Sequence, residues 1–174
     1  TGLSLNLPYF LAIAEDKYMT LSPRFFNDDK FLLQSEFRKK NKNSDYIIDL
    51  SQFVSSDESF KGHLFYNFSK DYVNKNSDNI ELNIQLEHVT NDTYLKTYKL
   101  ESPIINNTSI LSSSIGIAHN SNFQSLDANI NVYEDLSKND SDKYEYVPNF
   151  YFSKILNDNL VLNSEGYYKN YNTN

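Results

Sequence analysis

Leu3-Ser-Leu-Asn-Leu-Pro-Tyr-Phe-Leu-Ala-Ile-Ala14, then Glu15-Asp-Lys17, then Tyr18-Met-Thr-Leu-Ser-Pro-Arg-Phe-Phe26, is the stretch whose reading decides the fold. Leu3, Leu5, Leu7, Tyr9, Leu11 and Ile13 fall on every second position, so an extended chain carries all of them on one face and leaves Ser4, Asn6, Pro8 and Ala12 on the other. The segment therefore predicts a β-strand followed by a second, and Phe31-Leu-Leu-Gln-Ser-Glu-Phe-Arg38 predicts a third. Pro8 and Pro23 conflict with this pattern, because proline has no N–H to give to a ladder and is normally confined to edge strands.

Working outward, the alternation recurs along the chain. Tyr46, Ile48 and Leu50 predict a fourth strand, broken at Ser55–Ser59, and Leu64, Tyr66 and Phe68 a fifth. The clearest is the sixth, with Ile80, Leu82, Ile84 and Leu86 set against Glu81, Asn83, Gln85 and Glu87. A helix would scatter those acids around its circumference. Between Val89 and Thr108 the pattern fails, and Pro103 with Asn106-Asn107 predicts a connection of about twenty residues, long for a compact domain but common on one rim of a barrel. Alternation returns at Leu111–Ala118 and Leu126–Val132. Glu134–Lys143 is a polar loop, and a last pair spans Asn149–Leu156 and Leu160–Tyr168 around Asn157-Asp158-Asn159. About ten strands at intervals of roughly 15 residues exceed the spacing usual in sandwiches and suit strands of membrane-crossing length.

Composition agrees. Aromatic residues make up 15% of the 174 residues, with 14 Tyr, 12 Phe and no Trp, while the mean hydropathy of −0.61 is that of a polar chain. Both suit strands that are apolar on one side only. Cysteine is absent and the net charge is −7, which removes thiolate sites and leaves no basic face for nucleic acid, since Arg38-Lys39-Lys40 is the largest cationic cluster. His63, His88 and His119 are far apart and lack ligand spacing, Asp140-Ser-Asp142 lacks the glycine and terminal glutamate of a calcium loop, and Gly2, Gly62, Gly116 and Gly166 never gather into a phosphate-binding loop. No catalytic residue, metal ligand or cofactor motif is expected. The chain starts inside a strand pattern without Met, which predicts a piece of a longer barrel: all-β, one domain over 1–174, an antiparallel transmembrane β-barrel fragment left open because strands are missing.

Leu7-Pro-Tyr-Phe10, Ala12-Ile-Ala14, the acidic turn, Thr20-Leu-Ser-Pro-Arg24 and Leu33-Gln-Ser-Glu-Phe-Arg38 resemble the opening barrel strands of the LptD family, the lipopolysaccharide-assembly proteins of the Gram-negative outer membrane. Thr90-Asn-Asp-Thr-Tyr-Leu-Lys-Thr-Tyr98 is similar to a later segment of that family, and Phe123-Gln-Ser-Leu126 more loosely to another. The resemblance implies a protein of the cell outer membrane that carries lipopolysaccharide to the outer leaflet. It also implies a plug lipoprotein in the lumen, contact with periplasmic lipopolysaccharide bridge proteins through a domain upstream of Thr1, and lateral release between the first and last strands. A passive porin is the alternative. A soluble β-sandwich or adhesin is the third possibility, disfavoured by the number and length of the strands.

These readings fix expectations for faces and seam. Leu82, Ile84 and Leu86 are expected to face lipid, and Asn83, Gln85 and Glu87 the lumen, with Glu36, Asp49, Glu81 and Asp127 making that lumen acidic against Arg24 and Arg38. In the first hairpin, matching apolar faces requires an odd loop, with Glu15-Asp16-Lys17 as a three-residue connection, Pro8 opposite Arg24 and Pro23 opposite Tyr9. Each proline then removes one donor from the first ladders, which assigns Pro8 and Pro23 to a lateral gate; protection of edge strands is the plainer explanation.

Overall fold

Ten runs of alternating residues give one continuous sheet. A computed structural model of the chain describes residues 3–27, 30–55, 60–74, 78–139, 141–157 and 160–168. The turns expected at Asp28-Asp29, Ser56–Ser59 and Asp158-Asn159, and Asp140 of the acidic loop, lie outside these residues. The strands are β1 (Ser4–Asn6), β2 (Tyr9–Ala14), β3 (Lys17–Phe26), β4 (Phe31–Asn41), β5 (Ser44–Val54), β6 (Lys61–Val73), β7 (Asn79–Val89), β8 (Ile110–Asn120), β9 (Gln124–Asp135), β10 (Tyr144–Asn157) and β11 (Leu160–Tyr167), with the short helix α1 (Tyr94–Tyr98) between β7 and β8. All pair antiparallel with their sequence neighbours, except that β1 and β2 both lie along β3. They are two halves of one strand, interrupted at Leu7-Pro8, and with that count the expectation of ten strands holds. The sheet is an open meander, and among the described residues β11 does not close onto β1 or β2.

The first hairpin departs from the expected register. Tyr9 pairs with Leu21 and Asn6 with Arg24, which places Leu7 opposite Pro23 and Pro8 opposite Ser22, two residues from the expected alignment. The loop is the two-residue turn Glu15-Asp16, and Ile13 is the extra residue of a bulge, since Ala12 pairs with Tyr18 but Ala14 with Lys17. A two-residue turn plus one bulged residue preserves the parity that a three-residue loop would give. The apolar faces therefore still match, with Leu5 beside Phe25 and Leu11 beside Met19.

The connections divide unequally between the two rims. One rim carries the links at 15–16, 42–43, 74–78, 121–123 and 158–159; the other carries 27–30, 55–60, 90–109 and 136–143. The long link 90–109 folds back over the sheet and supplies much of its compact core, in which Tyr94, Leu95, Leu100 and Ile104 pack on Leu32, Phe53, Phe65 and Val89. Five helical residues do not hold a helix in water; α1 persists because Tyr94 and Leu95 are buried against the strands.

Candidate functional site

The two faces of the sheet differ in kind. Side by side across six strands run Phe68, Ile84, Ile115, Ile130 and Pro148, preceded by Tyr46, and the next row holds Leu82, Ile117, Ala128 and Phe150. Among the described residues nothing covers them: Ile115 is 52% exposed, Ile130 48% and Phe150 41%. Contiguous apolar surface is rare on soluble monomers and marks a contact with another molecule or a membrane. Leu82, Ile84 and Leu86 lie on this face as expected, and Asn83, Gln85 and Glu87 on the other. That other face gathers Glu36, Asp49, Glu81, Glu87 and Asp127 together with Arg24 and Arg38. The acidity expected of an open lumen is reduced, because Asp49 and Glu87 are buried. Glu87 accepts from the backbone N–H of Ser112 at 2.8 Å and from Gln85 Nε2 at 2.6 Å, replacing the β7–β8 ladder beyond Gln85–Ser114.

At the seam, Leu7 donates its N–H to the carbonyl of Pro23 at 3.0 Å. In an antiparallel ladder a residue turns its N and O to the same neighbour and the next residue turns both away. Pro23 consequently denies Leu7 the reciprocal bond, which weakens the ladder between β1/β2 and β3. Pro8, one residue on, has its nitrogen directed to the free edge. The expectation that both prolines weaken the first two ladders is corrected: one loses a donor inside the sheet and the other at its open side.

The link 90–109 is fastened to the sheet and its neighbouring connections through Thr90, Asp92, Tyr94, Tyr98 and Glu101. Tyr94, fully buried, places its hydroxyl 2.7 Å from Ser51 Oγ, which lies 2.7 Å from His63 Nδ1. His63 Nε2 stands 3.2 Å from Asp49 Oδ1, off the hydrogen-bonding axis, and Gln34 Nε2 donates to both Asp49 oxygens at 3.1 Å and to the carbonyl of Glu101 at 2.9 Å. Arg24 Nη1 donates to the carbonyl of Tyr98, and Thr90 exchanges hydrogen bonds with Gly62. Gly62 is required there, because a Cβ would sit 2.4 Å from the Ser51 carbonyl oxygen. At the far end Lys143 Nζ bridges Asp92 at 2.7 Å and Glu134 at 2.9 Å.

Burial raises the Tyr94 phenol to about 12, partly offset by its hydrogen bond to Ser51. Burial alone would lower the Lys143 ammonium, but its bonds to Asp92 and Glu134 outweigh it and hold the group above its ordinary value. Asp49, His63 and Ser51 follow one another as in an acid–base–nucleophile chain, yet all three are buried and Tyr94 rests on the serine oxygen, so no substrate reaches it. The four side chains form a latch. Strand alternation does not single out His63, Ser51 or Tyr94, because Ser51 meets its partners 12 and 43 residues further along the chain. His88 and His119 lie on the apolar face near strand ends, and among the described residues no cluster of His, Asp and Glu has metal-site geometry. No protein-family model matches the chain, and no curated protein matches it significantly.

Proposed function

We infer that the chain is part of the wall of an LptD-like barrel in the Gram-negative outer membrane, which delivers lipopolysaccharide to the outer leaflet and releases its acyl chains through a lateral gate at Pro8 and Pro23. The apolar face is the lipid side and the polar face the lumen, where the plug lipoprotein and the passing sugars lie. The observation that carries the reading is the broken first strand, which combines the quoted family residues with two missing donors at one point of the wall. In hydrocarbon each unpaired carbonyl costs several kcal/mol. Pro8, whose nitrogen faces the free edge, lowers the cost of parting the first strand from the last; Pro23 loosens that strand from β3.

In the full-length protein, Pro8→Ala should slow the appearance of newly made lipopolysaccharide at the cell surface more than Pro23→Ala does, with folding and insertion intact. Unchanged delivery in both variants removes the gate. A passive porin is the second reading, and the unequal rims speak for it, because outer-membrane barrels usually keep their short turns in the periplasm. β1 begins at the long-link rim. A chain entering from a periplasmic domain places that rim in the periplasm, whereas a porin of ordinary polarity places it outside. The described chain has no cysteine, so an impermeant maleimide on whole cells separates the two: Lys42→Cys reacts in the transporter, Asn106→Cys in the porin.

A further inference from the structure

Charge is sorted between the faces in a way the transport reading does not use. On the polar face the cations have partners: Arg38 meets Glu36 at 2.5 Å, and Lys40 meets Asp45 at 3.2 Å. On the apolar face the strands carry Lys17, Lys39 and Lys70 near the short-turn rim, with Lys154 apart from them on β10, and none of these four has an acidic partner within 4.0 Å among the described residues. Lys17 stands directly opposite Lys39, and Lys39 directly opposite Tyr46, with its Nζ 6.0 Å from that ring. Lys70 sits between Ser44 and Leu82, one row further toward the rim. Among the described strand residues from this rim to the middle of the sheet, Asp45, Asp71, Glu81 and Asp127 all point to the polar side, and Glu15 and Asp16, in the turn beside Lys17, form no ion pair with these lysines.

Like charges directly opposed across a ladder repel, and here no acid of the described chain pairs with either within 4.0 Å. Lysines on the rim of an apolar face lay their methylenes along the apolar surface and extend their ammonium groups toward the polar layer above it. We propose that Lys17 and Lys39, flanked by Lys70, seat the headgroup of a membrane lipid that ends in a phosphomonoester. Two adjacent ammonium groups complement a charge of about −1.5 to −2, which a phosphomonoester carries and a singly charged phosphodiester does not. Tyr46 beside them is amphipathic and suited to the same interfacial depth. The inference rests on reading the apolar face as a membrane wall.

The test uses the full-length protein refolded into vesicles of phosphatidylcholine, alone or with phosphatidylglycerol or phosphatidic acid, and native mass spectrometry of lipid retained after extraction. The wild type retains phosphatidic acid in preference to phosphatidylglycerol. Replacing all three lysines by Gln lowers that retention by about fivefold per lysine. The triple Lys→Arg variant keeps it, and Lys40→Gln, on the polar face, leaves it unchanged. Retention by the Gln variant equal to wild type overturns the proposal, as does equal retention of the two anionic lipids. Insertion into vesicles without any preference defeats the lysine seat alone; failure to insert into any of them defeats the wall reading as well.

Discussion

Removing the hydroxyl of Tyr94 should release the link 90–109 without unfolding the sheet. The phenol is fully buried and stands 2.7 Å from Ser51 Oγ, which retains only His63 once it is gone. A buried polar group deprived of a partner costs about 1–3 kcal/mol. Tyr94→Ala also removes a ring packed 5.1 Å from that of Tyr98, and truncating a large buried side chain costs about 3–5 kcal/mol. Because the link folds over a sheet whose ladders it does not form, these energies should appear as local opening. Lys96 and Lys99 are exposed on the link and serve as tryptic reporters. In the regime where opening is fast, each 1.4 kcal/mol raises cleavage tenfold, so Tyr94→Phe should speed it by roughly 5- to 150-fold and Tyr94→Ala by more than 100-fold. The far-ultraviolet circular dichroism of the sheet should stay the same. Wild-type cleavage rates in Tyr94→Phe, or loss of the sheet together with the link, would refute the latch.

The same phenol gives a pH dependence: raised to about 12 when docked from its ordinary 10.0, it ionises first in the detached link, so docking is at full strength below pH 10 and weakens as pH rises toward 12, read by the same cleavage assay at stepped pH with an alkali-tolerant protease. Lys143→Met should leave the buried Glu134 carboxylate without its ion pair, held by the Tyr144 hydroxyl at 3.3 Å, and destabilise the 136–143 connection by about 2 kcal/mol; native hydrogen exchange there should rise, and an unchanged rate would show the bridge to be idle. Gly62→Ala should cost about 1–3 kcal/mol by overpacking against the Ser51 carbonyl, measured by urea titration. Ile84→Arg should cost about 2–4 kcal/mol in a refolding titration in lipid and Gln85→Arg much less; equal costs would refute the assignment of the two faces.

Faces, strand number and the long link were legible because each follows from a period of two, which a strand must obey wherever one side is apolar. Ile80–Glu87 shows this in its own residues. The hairpin register was legible only to its parity. Ile13 reads as one more outward residue of the first run, and nothing in its identity says that the strand bulges there; only the pairing of Ala14 with Lys17 does. The latch was hidden for a different reason. Ser51 and Asp49 alternate correctly for a wetted face, and what buries them is Tyr94, brought from 43 residues downstream of the serine by a link with no periodicity. A polar residue on the polar side of a strand looks the same whether it meets water or another part of the chain.

That ambiguity bears on how the link behaves. Its fastenings are polar through Asp92 to Lys143 and through Tyr94 and Glu101 to the Asp49 network, with the apolar contacts of Leu95, Leu100 and Ile104 beside them. Hydrogen bonds and ion pairs specify one geometry but contribute modestly to net stability, whereas apolar burial supplies stability without direction. A cover built this way sits in one position and detaches as a unit. The sheet beneath keeps its own ladders, because β6 pairs with β7 through Val89 and β8 with β9 from Ile110 onward, whether or not the link is docked.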